Sequence, residues 1–140
     1  MEKLKSIFLA VFMLSLSLPI YAQSASESEE MLKMVANELN SECPMDYGND
    51  IAMTSVTYSN KILEINMDMP IIDDTLYPAI SDTFRDSFLQ GLFGTEGGEF
   101  IYEWMNTANV KLNIVFKLKG GAKRTMTFTP SDLRKYMNTH

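Results

Sequence analysis

The sequence has 140 residues, a net charge of −6, 46% hydrophobic residues, one cysteine and one histidine. That length supports one domain with one core. The only histidine, His140, is the last residue, which removes Ser-His-Asp and Cys-His nucleophile systems and nearly all histidine-bearing zinc sites.

The chain opens with a basic start, "MEKLK", and an apolar run, "SIFLAVFMLSLSLPI", too short to span a bilayer; "YAQS" then supplies a small residue for cleavage. This pattern predicts a signal peptide over residues 1–22, cut after Ala22, and a single α+β domain over residues 23–140. No cysteine lies near the end of the apolar run, so a bacterial lipoprotein anchor is not expected, and no later stretch is long and apolar enough to cross a membrane. The expected location is periplasmic or secreted. Cys43 then has no intramolecular disulfide partner and is expected to be buried and reduced.

"SASESEEMLKMVANELN" predicts the first helix, with Ser26 and Glu29 at capping-box spacing and Met31, Leu32, Val35, Ala36 and Leu39 on one face. Pro44 stops it, and "NSECPMDYGND" reads as a connector, since it lacks the ligand spacing of a calcium loop. "IAMTSVTYSNKILEINMDMP" predicts a hairpin with a Ser59-Asn60 turn, which sets Val56 opposite Leu63 and Thr54 opposite Ile65. Leu63, Ile65, Met67 and Met69 share its apolar face, and Glu64, Asn66 and Asp68 its polar face. "DDTLYPAISDTFRDSFLQGLFG" predicts a second helix, with Asp73 or Asp74 as its cap and Ile80, Phe84, Phe88 and Leu92 along it. A third, short helix carries Phe100, Ile101, Trp104 and Met105.

"NVKLNIVFKLKGGAKRTMTFTP" predicts a second hairpin, with Phe116 opposite Met126 and Ile114 opposite Phe128 around a frayed or five-residue tip that keeps Lys119 from facing Lys123. A last helix starts with Thr129 as cap, Pro130 at the first position and Asp132 at the third. The order α-ββ-α-α-ββ-α predicts a four-stranded antiparallel sheet with helices on one face.

No phosphate-binding loop, catalytic constellation, cofactor site or metal site is legible. "GLFGTEGG" has no preceding strand and no following Lys-Ser/Thr. Asp82 and Asp86, one turn apart, and Asp73-Asp74 at the helix start are the carboxylates that a small hydrolase would use; Asp82 and Asp86, opposite the apolar stripe, are expected to pair with Arg85 instead. Charge is split along the chain. Residues 23–103 carry sixteen acids and three bases, whereas residues 104–140 carry seven bases and one acid. Lys111, Lys117, Lys119, Lys123 and Arg124 concentrate on the second hairpin and are the candidate partner-binding residues. Lysines on a strand also solvate a sheet face and guard its edge. An unknown protein, an anionic glycan or a second copy of the chain would suit such a strip. Nucleic acid would not, because the chain is acidic and the strip lacks interleaved aromatics.

Asn40, Cys43, Pro44, Thr54, Ser55, Val56 and Tyr58 stand in an Asn-x-x-Cys-Pro turn followed by a "TSVTY" strand. In this the chain resembles small exported proteins of Bacteroidetes-type bacteria, in which a first helix runs into such a turn and hairpin. The resemblance covers about a third of the chain and implies a periplasmic or secreted α+β domain with no catalytic residues to carry over. The expected function is a non-enzymatic exported binding or accessory domain. A carboxylate-dependent hydrolase and a structural envelope-associated protein are the alternatives.

Overall fold

The computed structural model describes residues 24–94 and 96–139; the expected signal peptide lies outside them. The elements run α1 (Ala25–Ser41), β1 (Met45–Asp46), β2 (Ala52–Ser59), β3 (Ile62–Met69), α2 (Tyr77–Phe93), α3 (Glu96–Ala108), β4 (Lys111–Leu118), β5 (Lys123–Phe128) and α4 (Pro130–Thr139). The class is α+β, as expected.

The sheet corrects the expectation of four antiparallel strands. It has five, in the order β1-β2-β3-β4-β5, and β3 and β4 are parallel. Each hairpin is antiparallel, but α2 and α3 form a crossover between them, which lets β4 enter beside β3 in the same direction. In this register the apolar positions meet as Leu63↔Leu112, Ile65↔Ile114, Met67↔Phe116 and Met69↔Leu118, all buried. The fifth strand is Met45–Asp46, paired with Met53 and Ala52, so the connector itself closes into a small edge hairpin. The Gly48 N–H donates to Asp46 Oδ1 at 2.7 Å, and Gly48, Asn49 and Asp50 all take positive φ there.

Both long hairpins turn at places other than those expected. The first turns at Asn60 and Lys61, both with positive φ as a primed two-residue turn requires, so Val56 meets Ile65 and Tyr58 meets Leu63. A bulge between Met53 and Ser55 then returns Met53 to the inner face opposite Met67. Without that bulge, Met53 and Val56, three residues apart, would point to opposite faces. The second hairpin closes through Lys119–Gly121, with Gly120 at φ 82° and Gly121 at φ 87°. Its register sets Phe116 opposite Arg124 and Ile114 opposite Met126, two residues from the expected pairing, which leaves every side chain on its expected face. Lys119 falls in the turn, and the like charges that face each other are Lys117 and Lys123.

The helices cover one side of the sheet. α1 begins with Ser24, not Ser26, as its cap: the Glu27 N–H donates to Ser24 Oγ at 3.0 Å. Met31, Leu32, Val35, Ala36 and Leu39 are buried as predicted. Asp73 organises the turn before α2, accepting from the Leu76 N–H at 2.8 Å and from Thr75 Oγ1 at 2.6 Å, but it does not cap the helix. Phe84 and Phe88 of α2 meet Phe116 and Phe128 of the sheet, with ring centroids 4.8 and 4.9 Å apart. Arg85 packs over the Phe128 ring and reaches Asp132 at 4.0 Å, so its partner is neither Asp82 nor Asp86. α4 has the predicted cap, in reciprocal form: the Asp132 N–H donates to Thr129 Oγ1 at 3.1 Å, and the Thr129 N–H donates to Asp132 Oδ2 at 3.0 Å.

Several residues of the Asn-x-x-Cys-Pro turn and the strand after it fasten α1 to β2. Asn40 Oδ1 accepts the Val56 N–H at 3.0 Å, next to the bulge. Tyr58 donates to Glu29 Oε1 at 2.6 Å, and Lys61 Nζ reaches the same carboxylate at 3.2 Å. The Cys43 thiol donates to Leu39 O at 3.3 Å. Cys43 is half-buried rather than fully buried, and burial, with Glu42 nearby, pushes its pKa up.

Candidate functional site

The sheet face turned away from the helices bears alternate residues of the central strands: Glu64, Asn66 and Asp68 on β3, and Asn113, Val115 and Lys117 on β4. All are half-buried except Lys117, which is exposed. Strand register groups them into rows. Thr57, Glu64, Asn113 and Thr127 form one row, Ser55, Asn66, Val115 and Thr125 the next, and Ala52, Asp68, Lys117 and Lys123 the last. The middle of the face is tied by polar contacts. The Asn66 amide donates to Ser55 Oγ at 3.0 Å and to Glu64 Oε2 at 3.2 Å, and Thr127 Oγ1 donates to Asn113 Oδ1 at 2.8 Å.

Toward the last row the face dips into a groove of about 430 Å³, lined by Thr54, Ser55, Asn66, Asp68, Val115, Lys117 and Lys123 among others. Its floor is Val115 and the Asn66 side chain, and its charged rim is two ammonium groups and one carboxylate. The five predicted partner-binding residues are thus separated. Lys117 and Lys123 share this rim. Lys111 is six residues up β4, about 20 Å away at ordinary strand rise. Lys119 sits in the turn, where its N–H donates to Ile72 O at 2.8 Å. Arg124 is paired with Phe116, so it points to the helix side, where it binds Asp74 at 2.6 Å.

The remainder of the groove comes from β2 and β3, which the sequence places in a different hairpin. The alternation of Glu64, Asn66 and Asp68 marked a wet face on β3, but only the parallel β3–β4 pairing brings that face beside Lys117. Among the described residues, no group of three or more His, Cys, Asp or Glu is placed to hold a metal ion. Asp82 and Asp86 are exposed on α2.

No family model matches the sequence, and no curated protein matches it. Two solved structures share the fold. One is a Pseudomonas aeruginosa protein inferred to be secreted, with TM-score 0.63 and 17% identity over 81% of this chain and 98% of that one. The other is the pilotin EpsS of the Vibrio vulnificus type 2 secretion system, with TM-score 0.50 and 16% identity over 78% of this chain and 94% of that one. At such identities the likeness is one of fold.

Proposed function

We propose that this chain is an exported, non-enzymatic accessory protein that works by binding another protein of the cell envelope through the open face of its sheet. The observation that carries the reading is the groove, where Lys117 and Lys123 stand side by side at the edge of a hydrogen-bonded polar face that none of the described helices covers. Two exposed ammonium groups in adjacent positions repel each other, and a partner carboxylate placed between them relieves that repulsion while Asp68 sets its approach. Export is supported by the basic start, short apolar run and small residue at Ala22. The fold it shares with a protein inferred to be secreted and with a secretion-system pilotin supports an accessory role in the envelope. Neither likeness favours a glycan or a second copy of the chain over a protein partner.

A photo-crosslinking residue at Thr125, on the open face, tests this in the native envelope against the same residue at Lys33, exposed on α1. The expected result is one discrete protein adduct from position 125, whose yield falls when Lys117 and Lys123 are both changed to Glu. Equal adducts from both positions, or a yield that ignores the double change, would contradict it.

A further inference from the structure

A second concavity lies among the helices. The end of α2, one side of α3 and the last turn of α4 line a cleft of about 480 Å³, a size usual for ligand pockets. Its walls are aromatic. The Phe93 ring stacks on Tyr136 at 5.5 Å with an interplanar angle of 18° and meets Tyr102 edge-on at 5.7 Å and 63°. Met137, an exposed residue, also lines it. Glu99 and Glu103 complete the rim, both exposed and one helical turn apart on α3.

Two properties of this lining select the same kind of ligand. Aromatic faces present negative potential, so they attract cations, most of all those that shed water readily. The two carboxylates add formal negative charge, and neither joins any of the ion pairs among the described residues. Among the described residues no lysine or arginine lines the cleft; Arg134 of α4 is held by Asn106 Oδ1 at 2.7 Å. Like charges one turn apart disfavour each other on an isolated helix, and a bound cation removes that penalty.

We infer that this cleft binds an arginine side chain presented by a basic segment of a partner protein. A guanidinium lies flat on an aromatic face while its N–H edge meets carboxylates, which matches this combination of walls and rim better than a compact ammonium does. The site is on the helix side of the molecule and the polar groove on the opposite side, so the two proposals stand or fall separately.

The probe is the capped peptide acetyl-Gly-Arg-Gly-Arg-Gly-amide, titrated against the purified protein while the Met137 methyl resonance is followed. Its control is the same peptide with citrulline, which has the shape of arginine without the charge. The inference predicts saturable binding with Kd on the order of 1 mM at low salt, and at least about tenfold weaker binding of the citrulline peptide. Glu99→Gln with Glu103→Gln should weaken the arginine peptide by at least about tenfold. Both positions are exposed, and unchanged resonances elsewhere would show that the fold survives. Equal binding of the citrulline peptide, binding indifferent to the double change, or no saturation at about ten times the expected Kd would each overturn it.

Discussion

At the scale of single residues, the strongest constraints are polar groups that bridge elements. Asn40 serves the Val56 N–H at a point where the β2 bulge interrupts the ladder, so Asn40→Ala leaves a partly buried donor unpaired. The expected loss is about 1–3 kcal/mol, read as a lower urea midpoint at unchanged slope, with Asn40→Asp losing less because an acceptor remains. Asp132 gives a pH signature. The Thr129 N–H holds its carboxyl below the usual carboxylate range, helped by the Thr129 hydroxyl and Arg85 against a smaller opposing effect of burial. Because the native pKa is depressed, the stabilisation is complete above the unfolded-state pKa and is lost as pH falls through the native value. Asp132→Asn should therefore be destabilising at neutral pH, and its deficit should shrink as pH falls through the native value. A deficit that stayed constant with pH would show that the charge of Asp132 plays no part.

At the scale of elements, periodicity marked most of what formed. The buried faces of α1, β3 and β4 are those the sequence pattern selects, and the Thr129–Asp132 cap is readable from three residues. The turns were less legible. Asn60-Lys61 lacks the Asn-Gly signature of a primed turn, and the bulge that corrects the phase of Met53 is a compromise among tertiary contacts that no local pattern announces. Gly120 and Gly121 were visible as a tip, but their positive φ makes a tight three-residue turn possible where the lysines suggested fraying. Nothing crowds a Cβ at Gly120, so Gly120→Ala isolates the backbone cost. It should destabilise by about 1–2 kcal/mol in thermal unfolding, and no loss would mean that the turn adopts another conformation in solution.

At the scale of the whole molecule, the sequence showed two hairpins and four helices but not how the hairpins join. Their alternating faces suit either direction of approach, and the parallel β3–β4 seam goes with the α2–α3 crossover, whose Phe84 and Phe88 pack on the sheet. The same seam explains why the charge strip was half legible. Lys117 and Lys123 are neighbours within one hairpin, whereas Asn66 and Asp68 reach them only through tertiary pairing, and Arg124 leaves the strip for Asp74 on the other side. The cleft of Phe93, Tyr102 and Tyr136 draws on three helices, and no spacing rule links its members. The reading of the open sheet face as a docking surface depends on the protein meeting envelope partners, and therefore on export. Its direct test is the N-terminal mass of the protein produced from the full sequence in a bacterial host and recovered outside the cytoplasm. The expected product is soluble and begins near Gln23, the residue after the expected cleavage point. A product that keeps Met1, or one found only in the cytoplasm, would contradict it.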